Sequence, residues 1–131
     1  MNILTFDVEE WFHILDYEST KTASEWSGYE SRIRRNMERI VNILQRRGQK
    51  ATFFCLGWIA QQYPDIVLDL VKEGYEIGSH GFSHQLVYEQ TPDDFQKDLE
   101  SSIRILEDVT GTQIRYYRAP GFSIREDTSW A

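Results

Sequence analysis

Apolar and polar positions recur along this chain with two different periods, and the switches between them outline its elements. Ile3 to Val8 begins as a short apolar run and ends in acids, which predicts a strand. Ile33, Met37, Ile40, Val41 and Leu44 then recur at helical spacing, and Gly48 supplies a stop. Lys50 to Leu56 reads as a buried strand, followed by Gly57. A second helix is predicted from Pro64, a good first-turn residue, to Glu73. Ile66, Val67, Leu70 and Val71 form its inward face, and Gly74 ends it. Tyr75 to Ser79 reads as a short strand. Thr91-Pro92-Asp93-Asp94 is a helix start, with a hydroxyl cap, proline at the first position and acids in the first turn. Phe95, Leu99, Ile103, Leu106 and Val109 make the inner stripe, and Gly111 closes the helix. Gln113 to Arg118 is predicted as a fourth strand, ended by Ala119-Pro120-Gly121.

The order is therefore β-α-β-α-β-α-β, which predicts an α/β domain of parallel strands joined by helical crossovers. In such folds chemistry gathers at the carboxyl ends of the strands. The first strand ends in Asp7 and Glu9, the third in His80 and His84, and the fourth in Arg118. The second ends in Cys55, Leu56 and Gly57, which carry no evident chemistry.

Composition narrows the possibilities. The 131 residues are enough for one domain with one modest core, spanning residues 1–131 without repeats or linkers. A formal net charge of -7 argues against nucleic acid as a partner, because phosphate binding needs basic surface. No apolar run approaches the roughly 18 residues that cross a membrane. The start, Met-Asn-Ile-Leu-Thr-Phe-Asp, has neither a basic nor an apolar leader region, so a cytoplasmic location is expected. The one cysteine, Cys55, lies in an apolar run and reads as a small buried hydrophobe. Arg32, Arg34, Arg35, Arg39, Arg46 and Arg47 read as the solvated face of the first helix, and Trp26, Trp58 and Trp130 as core or edge packing.

The chemistry concentrates in three motifs. In Asp7-Val8-Glu9, residues two apart on a strand project from the same face, so both carboxylates point together while Val8 points into packing. Two ionised carboxylates side by side repel unless a cation joins them. One can bind a metal while the other stays free as a base; taken alone, the pair fits a solvated strand end equally well. In His80-Gly81-Phe82-Ser83-His84, two of the chain's three histidines stand at a spacing that lets one turn or loop wrap an ion. Two histidines and one carboxylate form a recurring set for catalytic zinc and other divalent metals. Such an ion lets water ionise near neutral pH, and Asp7 can take its proton, which makes hydrolysis of a carbonyl compound the expected reaction. In Arg118-Ala119-Pro120-Gly121-Phe122, the arginine can pair with a carboxylate, here Asp7, and fix its orientation. Pro120 and Gly121 shape the turn, Phe122 or Trp11 can floor a sugar site, and Pro120 is expected to contact substrate beside them. His13 is a further candidate for substrate contact or proton donation, set against the more ordinary role of a packed residue.

These motifs, in this order, resemble the polysaccharide deacetylase family, carbohydrate esterase family four, whose domain is shared with chitooligosaccharide deacetylases. Thr5-Phe6-Asp7-Val8-Glu9 looks like its first motif, Ser79-His80-Gly81-Phe82-Ser83-His84 like its second and Arg118-Ala119-Pro120-Gly121-Phe122 like its third. The similarity runs the length of the chain and is greatest to the subgroup associated with exopolysaccharide loci and exosortase systems. The resemblance implies a distorted (β/α) barrel, of which this chain is the N-terminal part, and removal of N-acetyl groups from amino sugars in polymers. It implies Asp7 as base, His80 and His84 as ligands of a divalent metal, most simply zinc, and Arg118 as the residue that orients Asp7. The family's usual first motif has adjacent aspartates, the second of which binds metal. Val8 stands in that place here, so Glu9, which shares a face with Asp7, is the expected carboxylate ligand. The motifs that line the other side of the family's groove, including its general acid, have no counterpart here. A half barrel leaves strand edges that a second copy can cover. Two other readings remain: a binding fragment without turnover, or a related hydrolase of small amides.

Overall fold

The computed structural model describes residues 3–15 and 22–131. Three parallel strands form its sheet in the order β1 (Thr5–Val8), β2 (Thr52–Cys55) and β3 (Glu76–Ser79). The register sets Asp7 beside Phe54 and Val8 beside Cys55, and then Phe54 beside Gly78 and Cys55 beside Ser79. All three strands therefore end at one level, and the segments leaving their carboxyl ends meet at one rim.

Helices cross between the strands. A short α1 (Ala23–Trp26) and the long α2 (Ile33–Arg47) separate β1 from β2. α3 (Gly57–Gln62) and α4 (Pro64–Lys72) separate β2 from β3, and α5 (Pro92–Thr110) comes after β3. The ends obey the signals in the sequence. Gly48 and Gly111 take left-handed conformations, φ 58° and 66°, and stop α2 and α5. Thr91 Oγ1 accepts from the Asp94 amide to cap α5, with Pro92 in its first turn.

α3 has no counterpart in the hydrophobic pattern. Gly57, Trp58, Ile59 and Ala60 are all buried and only Gln61 and Gln62 are exposed, so the helix is a buried first turn followed by a polar end and is too short to show an amphipathic period. The predicted fourth strand is a correction. Residues 113–118 form a single parallel bridge, Ser79 to Tyr117, instead of a strand. The Ile114 amide donates to the Glu107 side chain at the end of α5, so the first half of this run is held away from β3. Only its second half pairs, through Ser79 N to Tyr116 O and Arg118 N to Ser79 O. That short pairing still delivers Arg118 to the rim.

Val8, Phe53, Cys55, Leu56, Ile59, Val67, Leu70 and Leu106 are sealed in one core under the sheet's helices. Burial of the Cys55 thiol in this core pushes its pKa up, so it stays protonated and inert. Trp26 and Trp58 are buried, as expected, while Trp130 is 40% exposed. The arginines of α2 are exposed.

One close approach ties the core to the rim. The amides of Gly57 and Trp58, which open α3, donate to the carbonyls of Gly81 and Phe82. A β-carbon on Gly57 would lie 2.9 Å from the Ser102 backbone and 2.8 Å from the Phe82 ring. Gly57→Ala is expected to lower stability by about 1–3 kcal/mol through overpacking. Urea unfolding checks this, and an unchanged midpoint would show that α3 and α5 pack loosely enough to absorb a methyl group.

Candidate metal centre

The period of β1 places the carboxylates. Val8 points into the core with no exposed surface, so Asp7 and Glu9 face the rim on the other side. The histidine loop leaves the end of β3. His80 is anchored through its amide to the Cys55 carbonyl, and Gly81, at φ 78°, turns the chain. His84 itself adopts φ 54°, a conformation that costs a non-glycine residue about 1 kcal/mol or more and must be held by its surroundings.

Glu9, His80 and His84 each offer one ligand atom, and the three atoms lie within 4.8 Å of one another. Glu9 Oε2 is 2.6 Å from His84 Nε2 and 3.6 Å from His80 Nε2. His80 Nε2 also lies 3.8 Å from Asp7 Oδ2. The proton positions matter here. His80 Nδ1 is 2.8 Å from the Arg118 carbonyl, which can only accept, so Nδ1 carries the proton. In the neutral ring Nε2 then presents a lone pair toward two carboxylates. Glu9 Oε2 is buried and has hydrogen-bond geometry to none of the described groups. Lone pairs facing one another in a buried site need a proton or a cation between them, and two imidazoles with one carboxylate suit a divalent metal. Burial pushes the Glu9 carboxyl up, but hydrogen bonds and positive charge from the two facing imidazoles in their protonated form outweigh it and hold it at about 2. A bound cation would exert the same pull on the carboxylate when the rings are neutral.

Asp7 stands beside this trio. Arg118 Nη1 donates to Asp7 Oδ1 at 2.7 Å, and Nη2 donates to Thr5 Oγ1 at 2.9 Å. The guanidinium thus spans two residues of β1 instead of gripping one carboxylate with both arms. It also lies over the Phe54 ring, 4.1 Å from its centroid. Asp7 Oδ2 is left facing the trio.

The other expected contacts divide. Trp11 is 40% exposed and donates through Nε1 to the Glu30 carbonyl, so its ring stands at the surface. Phe122 is 79% exposed, with the Arg118 guanidinium 5.8 Å from its ring centroid. Pro120 is fully buried and shapes the turn from beneath, offering no sugar a surface. His13 is 3% exposed, packed among Phe12, Trp26 and Trp58. Burial, with His84 nearby, holds its imidazole at about 3, so the ring is neutral at neutral pH and is a poor proton donor to substrate.

Two carboxylates that position the site escape the sequence motifs. Glu10 Oε1 accepts from Ser31 Oγ and from the amides of Arg32 and Ile33, capping α2 from a distance and pinning the segment after β1. An acid next to an acid reads as solvated, so nothing in the sequence marks it. Asp98 on α5 accepts from the amides of Phe82 and Ser83 and from the Ser83 hydroxyl. That cradle supports the strained turn into His84. Its signal is faint: Asp98 and Ser102 are polar residues on the stripe begun by Phe95.

Known proteins resemble this chain in sequence and in fold. The family model described as polysaccharide deacetylase matches residues 3–131. A peptidoglycan-N-acetylglucosamine deacetylase of Bacillus cereus is 31% identical over 94 residues, covering 71% of this chain and 34% of that protein. The structure of the peptidoglycan deacetylase PdaC from Bacillus subtilis superposes with a TM-score of 0.71 at 25% identity, over 96% of this chain and 52% of that one. A CE4-family pseudoenzyme from Bacillus anthracis shares the fold, with a TM-score of 0.74 at 22% identity over 96% of this chain and 37% of that one. The chain spans about a third of the length of the Bacillus cereus relative.

Acid acts on this centre in one direction. His13 has a folded pKa of about 3 against an ordinary 6.5, so only the unfolded chain takes up that proton between the two values. Its contribution to stability is whole above pH 6.5 and is lost as pH falls toward 3. Glu9, at about 2 against 4.5, acts the same way in a lower window. The melting midpoint is expected to fall as pH drops from about 6.5 to about 5, and His13→Leu to flatten that slope. Calorimetry across this range checks it; a variant with the wild-type slope would show that His13 is not sealed from protons.

Proposed function

The chain belongs to the polysaccharide deacetylase family, and from this premise we propose that it carries the metal-binding and base-bearing half of a site that removes N-acetyl groups from amino sugars of a polysaccharide. The observation that carries this reading is the convergence of Glu9, His80 and His84 beside an Asp7 that stays outside the trio. The residues fit a divalent ion, and zinc is the simplest occupant of two imidazoles and a carboxylate. Such an ion would supply positive charge that polarises an acyl oxygen and makes water a better nucleophile.

The chain's own groups do the rest. Glu9, His80 and His84 are the residues that would hold the ion. Arg118 occupies Asp7 Oδ1, so Oδ2 is the atom left to take a proton from the attacking water. The same arginine, tied to Thr5, keeps that carboxylate from swinging toward the trio. Phe122 and Trp11 present exposed rings at the surface on which a sugar face can stack. The Asp7-Val8-Glu9 sequence supports a place in the exopolysaccharide-associated subgroup, because Glu9 supplies the carboxylate that an adjacent aspartate would otherwise give.

A second reading is a fragment that binds metal and sugar without turnover. Among the described residues β1 pairs only with β2, and its free edge suits either further strands or a second copy.

Acetate release from N-acetylglucosamine oligomers, with zinc added, tests the proposal against the small-amide alternative. Release from the oligomers is expected to exceed release from simple acetamides. Asp7→Asn is expected to lower it by about 10²–10⁴-fold while zinc stays bound. Zinc binding without acetate release from any substrate would favour the fragment reading, and preference for small amides would overturn the sugar assignment.

A further inference from the structure

Beside His84 lies a cavity of about 280 Å³ whose lining includes His13, Trp26, His84, Leu86, Gln85 and the exposed Glu89. Two buried nitrogens in this region lack any hydrogen-bond partner among the described residues: His13 Nε2 and His84 Nδ1.

Geometry sets their protonation. His13 Nδ1 accepts from the Glu10 amide at 2.9 Å, so it carries a lone pair and the ring's proton sits on Nε2. His84 turns Nε2 toward Glu9 at 2.6 Å. When that nitrogen gives its lone pair to a cation, the proton of the neutral ring is on Nδ1. Both unpartnered nitrogens are then donors. Two donors cannot satisfy each other, and the rings, with centroids 6.2 Å apart, are too distant for a direct bond. Each buried donor left unpaired costs about 1–3 kcal/mol. A single oxygen with two lone pairs can accept from both, and the cavity leaves ample room for a water at that point.

We propose that one water bridges His13 Nε2 and His84 Nδ1, and that His13 is thereby the positioning residue of His84. The contrast with His80 supports this. His80 Nδ1 is held directly by the Arg118 carbonyl, as a metal-binding imidazole ordinarily requires. His84 has no such acceptor among the described residues, and its left-handed backbone makes its orientation the harder one to hold. The acidic residue at the cavity mouth, Glu89, disfavours an anion in the water's place.

The role of His84 as ligand rests on the proposed metal centre, so the test separates the two. His13→Gln places an amide N–H where Nε2–H was. His13→Asn instead keeps an acceptor for the Glu10 amide and loses the donor into the cavity. Zinc affinity is expected to fall about tenfold or more in His13→Asn and to be largely restored in His13→Gln. Equal affinities across the set, or the opposite order, would overturn the proposal, since a purely structural role tracks the Glu10 bond. Nitrogen NMR of the zinc-loaded protein is expected to show His84 protonated on Nδ1 and His13 on Nε2. If the wild-type chain binds no zinc, the metal reading fails. A high-resolution crystal structure then decides alone: an oxygen within hydrogen-bond reach of both nitrogens sustains the bridge, and density at neither overturns it.

Discussion

The hydrogen bond from His80 Nδ1 to the Arg118 carbonyl decides what this site can hold. It fixes the proton on one side of the ring and so commits Nε2 to the carboxylates of Glu9 and Asp7. A neutral imidazole so placed faces negative charge with a lone pair, which is unfavourable in a buried site unless a cation is shared. The same residue, Arg118, closes the arrangement from the other end, since its guanidinium holds Asp7. Backbone and side chain of one residue thus orient a ligand and a base at once. The bridge between Ser79 and Tyr117 is what brings that residue alongside β3.

Around this pair the scaffold is built of short, well-anchored pieces. Strands of four residues end level, so groups 70 residues apart in sequence meet at one rim. The first turn of α3 receives the carbonyls of the histidine loop, and Asp98 receives its amides. The loop is therefore bonded on both its donor and its acceptor sides, which is how a non-glycine residue at φ 54° can persist. Glu10 does the equivalent for the segment after β1 by capping α2. Each of the two ligand-bearing segments has its own supporting carboxylate outside the centre.

Much of this was legible in the sequence because it depends on simple periods. The two-residue alternation around Val8 put Asp7 and Glu9 on one side, and the stop signals Gly48, Gly74 and Gly111 marked helix ends within a residue or two. What escaped did so for physical reasons. α3 is six residues long with its first turn wholly buried, so there is no periodic contrast to read. The run from Gln113 to Arg118 has strand-like composition, but the Glu107 side chain competes for the Ile114 amide. Glu10 and Asp98 are charges whose work is to bind distant backbone, which one sequence does not reveal. His13, which follows two acids closely, takes the more ordinary of its two readings, since its ring is packed in an aromatic cluster with Trp26 and Trp58.

The central claim is that Glu9, His80 and His84 together bind a divalent metal. X-ray absorption at the zinc edge, on protein loaded with one equivalent, tests it most directly. The account predicts two imidazole nitrogens at about 2.0–2.1 Å and a carboxylate oxygen at about 2.0–2.2 Å. A shell of oxygens alone, without imidazole scattering, would contradict it.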